Sequence, residues 1–93
     1  MTIPEKWIVI GKQDGAFPPK WRPFISSFGV CDSRDAALDA VRIKVSFDPF
    51  FRRKHAGWNF YVVNGDYCIR VNKDGQTWFD DRNAHEEMRV LGG

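Results

Sequence analysis

Residues 58–71 have the sequence WNFYVVNGDYCIRV, in which two β-branched and aromatic segments flank the pair Asn64-Gly65. Asn-Gly adopts the positive φ angles of a two-residue type I′ turn, so the sequence predicts a β-hairpin. This turn places six apolar side chains on one face, in the cross-strand pairs Val62 with Tyr67, Phe60 with Ile69, and Trp58 with Val71. We expect that face to lie against the core. The other face is mixed and is predicted to meet water or a partner: Asn59, Tyr61, Val63, Asp66, Cys68 and Arg70.

A third strand is predicted after the turn at 72–75, in the segment QTWFD at 76–80. A three-residue loop with Gly75 as the bulge residue puts Phe79 beside Ile69 in the core. The same loop puts Trp78 on the mixed face, beside Arg70 and Tyr61. A two-residue Asp74-Gly75 loop is the alternative, and it would place Trp78 opposite Val71 instead.

A helix is predicted upstream of the hairpin, beginning at the oxygen-bearing cap that Asp32-Ser33 offers. Its apolar residues recur at three- and four-residue spacings, which gives one stripe for the sheet: Ala37, Leu38, Ala40, Val41 and Val45. A second short helix is expected from Pro49 to about His55, capped by Asp48 and stopped by Gly57.

The N-terminal part is predicted to begin with a buried strand at 7–10, followed by a turn. Three prolines then make 17–24 an extended loop with aromatic anchors, and 25–31 is expected to return as a strand. At the other end, 81–91 allows a short acidic helix or turn on which Met88 and Leu91 dock.

These elements predict an α+β fold, in which a three-stranded C-terminal meander and an N-terminal strand form an antiparallel sheet with a helix packed on one face. A length of 93 residues is enough for one core, so we expect a single domain at 1–93. Fourteen aromatic residues exceed what such a core is expected to bury, so some rings should lie on the surface.

Charge and cysteine content narrow the function classes. Fourteen basic against twelve acidic residues give a formal charge of +2, too close to balance to imply nucleic-acid binding by itself. Two cysteines, with no apolar segment long enough to span a membrane and no signal-peptide pattern, favour a reducing cytoplasmic setting. The set Cys31, His55, Cys68 and His85 lacks the close ligand pairs of a zinc site, so we expect neither metal nor other cofactor.

Two groups of residues are candidates for partner binding. Tyr61, Arg70 and Trp78 on the mixed face combine the residue types enriched at interface hot spots, although a cation stacked on rings also occurs on ordinary solvent faces. The basic segment Arg52-Arg53-Lys54 forms the second group, on a short helix that would turn Phe50 and Phe51 inward. Trp21 and Arg22 of the 17–24 loop extend that group.

The second group has two functional interpretations besides a solvated surface. It fits an acidic patch on another protein, or single-stranded nucleic acid, in which rings stack on bases and cations contact phosphates. No constellation of residues here indicates catalysis, so an enzyme is not expected.

The helix at 33–45, followed by WNFYVVNGDYCIRVNKDGQTWFD, resembles in architecture several small phage-encoded inhibitors, including anti-CRISPR proteins. Such proteins are short, single-domain and non-enzymatic, with a helix over a few antiparallel strands. The resemblance implies a stoichiometric inhibitor or adaptor from a phage or mobile element that acts by protein–protein contact. Open sheet edges leave pairing of two copies into a homodimer as an open alternative.

Overall fold

The hairpin lies in the middle of an antiparallel sheet. The computed structural model describes residues 6–15, 17, 20–65, 67–72 and 77–92, the last four as backbone. Within these residues the spatial strand order is β2-β1-β3-β4-β5. The strands are β1 (Ile8–Gln13), β2 (Trp21–Pro23), β3 (Trp58–Val63), β4 (Cys68–Val71) and β5 (Trp78–Asp80), and the helices are α1 (Ile25–Phe28), α2 (Arg34–Phe47), α3 (Pro49–Lys54) and α4 (Arg82–Gly92). The predicted α+β fold is confirmed. The sheet has one strand more than predicted, because residues 21–23 of the expected 17–24 loop pair with β1 as β2.

The predicted β3–β4 register is wrong by two residues. Val63 pairs with Cys68 and Val62 with Ile69, so the loop holds residues 64–67, of which Asp66 lies outside the described residues. The Tyr67 N–H donates to the Asn64 side-chain oxygen at 2.9 Å and the Asn64 N–H donates to the Tyr67 carbonyl at 3.0 Å, which closes this wider loop. A two-residue shift keeps the remaining side chains on their predicted faces. Tyr67, however, leaves the core for the surface, where it stacks on Trp7.

The β4–β5 register follows the alternative pairing. Val71 pairs with Trp78 and Arg70 with Phe79, so the expected neighbours of Trp78 are wrong. Adjacent rings in β5 make both registers similarly apolar, and the hydrophobic pattern therefore does not fix the pairing. Residues 73–76 of the turn lie outside the described part of the chain.

Residues 25–31 do not form the expected strand. One helical turn, α1, follows Phe24, and Cys31 makes only a single bridge to Trp7. The Phe28 N–H donates to the Phe24 carbonyl at 3.0 Å, and this four-residue spacing turns both rings toward the core. A strand would also place residues 24 and 28 on one face, but about 13 Å apart, whereas one helical turn lets both rings contact Phe60.

Both predicted central helices are confirmed, together with their caps. One residue of the predicted sheet-facing stripe is wrong: Ala40 lies outside the core cluster, which Ala37, Leu38, Val41 and Val45 join. The Ser33 hydroxyl accepts from the Ala36 N–H at 3.1 Å at the start of α2. The Asp48 carboxylate accepts from the Phe51 N–H at 3.0 Å at the start of α3, whose first residue is Pro49.

The sheet separates two hydrophobic clusters. The larger lies under α2 and α3 and consists of Trp7, Val9, Phe24, Ala37, Leu38, Val41, Phe51, Phe60, Val62, Ile69 and Val71. The smaller lies under α4 and consists of Tyr61, Val63, Cys68 and Ala84, with Met88 packed against it as predicted. The side chain of Leu91 lies outside the described part of the chain.

Glycine is required at position 11 because two rings pack closely against the backbone there. An added Cβ would lie 2.6 Å from the Phe24 ring and 3.0 Å from that of Trp58.

Candidate interaction surface

The residues predicted for partner binding lie on two different sides of the sheet. For the residues in strands, the alternation of side chains along the strand decides the side; for the residues on α3, it is the side that α3 covers. The α4 side holds Trp21, Tyr61 and Arg70, and the α2 side holds Arg22, Arg52, Arg53, Lys54 and Trp78.

Tyr61 is a core residue, contrary to the prediction that it lies on an open face. Only 3% of it is exposed, since Ala84 and Met88 of α4 pack over this side of the sheet. Its ring lies 5.1 Å from that of Trp21 and 6.0 Å from the Arg70 guanidinium. Burial raises the pKa of the Tyr61 hydroxyl, against the opposing effect of the Arg70 charge. Trp21, Tyr61 and Arg70 thus connect the strands to α4, and little of the Tyr61 side chain is accessible to a partner.

Trp78 is not part of this group. Phe79 occupies the position predicted for Trp78, with its ring 6.0 Å from the Arg70 guanidinium. The prediction that Phe79 lies in the core beside Ile69 is wrong, because Phe79 pairs with Arg70 and is 46% exposed. Trp78 is 48% exposed on the α2 side, where it lines an open groove with Leu38, Asp39 and Arg42. The expected cluster of Tyr61, Arg70 and Trp78 is therefore wrong, because it depended on the three-residue loop between β4 and β5.

The basic segment is exposed on α3, as predicted. Arg52, Arg53 and Lys54 have exposed side chains, and no ion pair found among the described residues includes them. Lys44, by contrast, lies 3.5 Å from Asp48. The Phe51 N–H, with a smaller contribution from Lys44, holds the pKa of the Asp48 carboxyl below its usual range.

Phe50 departs from the prediction that both adjacent rings turn inward. Phe51 is buried, whereas 73% of Phe50 is exposed beside the cations. Consecutive residues of a helix lie about 100° apart, and α3 meets the core along the side on which Phe51 lies, so Phe50 is left outside it.

A cleft of about 170 Å³ opens beside α3, between this helix and the β3–β4 hairpin. Its apolar lining is provided by Val41, Val45, Phe51, Trp58, Phe60 and Val71. Arg52, His55 and Asn72 supply polar groups to the same lining. Sequence reasoning missed this cleft because its walls come from segments that are distant in the chain, such as those that contain Val41 and Val71.

Arg22 lies on this side of the molecule too. Its guanidinium lies 5.0 Å from the Phe24 ring centroid, and the Phe24 ring lies 5.1 Å from that of His55, which caps α3. Trp21 lies on the opposite face of β2, so the predicted pair of Trp21 and Arg22 is divided between the two sides of the sheet. We define the basic surface as Phe50, Arg52, Arg53 and Lys54 together with the cleft beside them.

The cysteines and histidines do not converge. Cys31 packs against the cluster under α2, whereas Cys68 is buried in the cluster under α4. Burial, reinforced by Asp81 and Asp80, raises the pKa of the Cys68 thiol to about 12. Among the residues that the structure describes, no group of three or more histidine, cysteine, aspartate or glutamate side chains is arranged to hold a metal ion.

Comparison with protein-family models, with curated proteins and with solved structures gave no match for this chain. In the described ranges, none of the helices combines the length and the apolar character needed to cross a membrane.

Proposed function

We propose that this protein is a non-enzymatic protein-binding module that captures an acidic segment of a partner protein on the basic surface. The resemblance to small phage-encoded inhibitors gives the module its expected role, a stoichiometric inhibitor or adaptor from a phage or mobile element that acts in the host cytoplasm. The observation that carries the proposal is the apolar cleft directly beside three exposed cations on α3.

The cleft suits one apolar side chain of the partner. Its volume of about 170 Å³ is comparable to the ~150 Å³ of an apolar cavity that accommodates benzene. Burying an aromatic or aliphatic anchor in such a pocket is the usual origin of an interface hot spot, because the walls exclude water from the contact.

The cations suit carboxylates next to that anchor. Arg52 lines the cleft itself, so an acidic residue adjacent to the bound anchor would meet a guanidinium already in place. Arg53 and Lys54 extend the positive charge outward, where it would accelerate association more than it slows dissociation. Partner recognition thus combines one buried apolar contact with several charged contacts at its rim.

Single-stranded nucleic acid is the alternative, and one observation favours it. Phe50 exposes most of its ring beside the three cations, an arrangement in which a base could stack while its phosphates meet the charges. The cleft argues for the protein partner, because a base stacked on Phe50 would leave the cleft unfilled.

Selection from a random peptide library tests the proposal and requires no candidate partner. The baits are the wild-type protein, Arg52→Glu/Arg53→Glu, and the control Arg34→Glu/Arg82→Glu. The control makes the same change in charge at two exposed residues in the first turns of α2 and α4, where a carboxylate also suits the helix dipole.

The expected consensus has one large apolar residue flanked by Asp or Glu, selected by the wild type and the control but not by Arg52→Glu/Arg53→Glu. A consensus that survives this charge reversal, or no consensus at all, would overturn the proposal. Binding of a single-stranded oligonucleotide of about 20 nucleotides, with affinity that declines steeply as salt rises, would establish the alternative.

A further inference from the structure

The surface of α2 that faces away from the sheet carries an apolar stripe. Ala36, Ala40, Ile43 and Phe47 follow one another at spacings of four, three and four residues, which places them along one side of the helix. Ile43 is 47% exposed and Phe47 71% exposed, whereas Ala37, Leu38 and Val41 are buried and form the core-facing side of the helix. Apolar residues that recur at spacings of three and four are typical of a helix seam that packs against a second helix.

The stripe is graded in size from one end to the other. Its N-terminal half consists of the two alanines, and its C-terminal half of the larger Ile43 and Phe47. The side chains of Ile43 and Phe47 project from the helix, whereas the two alanines leave space for side chains of a partner helix. A helix that packs on this stripe in the antiparallel direction must therefore present large side chains to the alanines and small ones to Ile43 and Phe47.

The charges around the stripe are graded in the same direction. Within α2, residues 34–40 contain two carboxylates and one cation, a formal charge of −1, whereas residues 41–47 contain two cations and no carboxylate, a formal charge of +2. Arg42 and Asp39 are already paired at 2.8 Å beside the middle of the stripe. The complementary surface must be acidic opposite the C-terminal half and basic opposite the N-terminal half.

We propose that the occupant of this stripe is a second copy of the same chain, with the two α2 helices antiparallel about a twofold axis. That arrangement pairs Ala36 of each copy with Phe47 of the other and Ala40 with Ile43, so each small residue meets a large one. It also brings the acidic end of each helix toward the basic end of the other. Two identical stripes that run in opposite directions therefore meet both requirements, the pairing of small with large side chains and of acidic with basic ends. This inference goes beyond the proposed function, since it concerns α2 and not the cleft beside α3.

Sedimentation over a protein concentration range of about 10 μM to 1 mM at low salt measures the dimer directly. We expect a reversible monomer–dimer equilibrium for the wild type, weakened as salt rises. Ile43→Ala should raise the dissociation constant by about tenfold. Ile25→Ala is the matched control, since Ile25 is 48% exposed on α1, outside the stripe, and it should leave the equilibrium unchanged.

The single variant Ala40→Ile distinguishes the antiparallel arrangement from a parallel one. In the antiparallel dimer it sets an isoleucine against Ile43 of the other copy at both contacts and should raise the dissociation constant, whereas in a parallel packing residue 40 faces residue 40 and Ile43 keeps its contacts. An unchanged or lower dissociation constant for Ala40→Ile would overturn the antiparallel arrangement. The double variant Ala40→Ile/Ile43→Ala exchanges the two residues that face each other in that arrangement, so dimerisation should return to within about threefold of the wild type. Phe47→Ser provides a second variant at the most exposed position of the stripe, and it should abolish the dimer while circular dichroism stays that of the wild type.

A wild-type chain that stays monomeric throughout this concentration range would overturn the proposal. Equal effects of Ile43→Ala and Ile25→Ala, or a dimer that persists in Phe47→Ser, would overturn it as well and would place the contact elsewhere, for example at a sheet edge.

Discussion

The two sides of the sheet are covered in different ways. Under α2 and α3 lies a core rich in rings, where Phe24 meets Trp58, Phe60 and His55 edge to face. Under α4 the cluster is smaller and holds cations against rings, with Lys12 over Trp21 and Arg70 beside Tyr61. Lys12 also pairs with Glu87 of α4 at 2.7 Å. The α2 side of the sheet therefore derives its stability from close packing of rings, and the α4 side from a helix attached through mixed polar and apolar contacts.

The largest expected effect contrasts one ring from each side. Phe24 is 1% exposed, so Phe24→Ala should lower the free energy of unfolding by about 3–5 kcal/mol. Trp21 is only half-buried on the α4 side, and Trp21→Ala should cost about 1–2 kcal/mol. Urea denaturation of both variants measures the difference. Equal losses would show that the two sides contribute alike.

Adjacent valines of β3 offer a matched pair for the same comparison. Val62 lies in the cluster under α2 and Val63 in the cluster under α4. We expect Val62→Ala to lower the free energy of unfolding by about 2–3 kcal/mol and Val63→Ala by about 1 kcal/mol, because the smaller cluster can close over the missing methyl groups. Thermal unfolding by circular dichroism is sufficient, and a reversed order would contradict the ranking of the two clusters.

The buried Cys68 thiol makes the α4 side sensitive to alkaline pH. Its pKa in the folded chain is raised from 9.0 to about 12, so between these values the thiol ionises in the unfolded chain and stays protonated in the folded one. Its contribution to stability is therefore complete below pH 9 and is lost as pH rises toward 12. Urea denaturation at pH 8, 9.5 and 10.5 should show that decline.

Cys68→Ala should reduce this alkaline slope, leaving the part that comes from Tyr61, whose pKa is also raised. Cys31→Ala is the control and should retain the full slope. An identical slope in both variants would mean that Cys68 is not the group responsible.

The smallest effect is expected at Arg70. Its guanidinium lies 6.0 Å from the rings of both Tyr61 and Phe79, and such contacts at partly exposed sites contribute about 0.5–1 kcal/mol each. Arg70→Gln should cost about 1 kcal/mol and leave binding of a peptide selected on the basic surface unchanged. A loss of peptide binding without a loss of stability would return Arg70 to the role that the sequence suggested.

Much of the fold could be predicted because it depends on local chemistry. The Ser33 and Asp48 caps, the Pro49 start of α3 and the alternation of β3 each involve residues within a few positions of one another. Prediction failed where competing local choices were similarly apolar, as with Trp78 and Phe79, or where a distant element intervened, as with Tyr61 beneath α4. The candidate site was predicted only in its charged part, because the cleft requires α2, α3 and the hairpin to be assembled.

The sequence by itself determined which segments become strands and helices around residues 32–71, and that Arg52, Arg53 and Lys54 would reach solvent. These outcomes follow from capping, turn chemistry and the low probability of burying unpaired charge. Only the tertiary structure decided which of the surplus rings are accessible. Whether a ring is covered depends on the element packed over it: α4 buries Tyr61, whereas no described element covers Phe47 on α2 or Phe50 on α3, and both stay exposed.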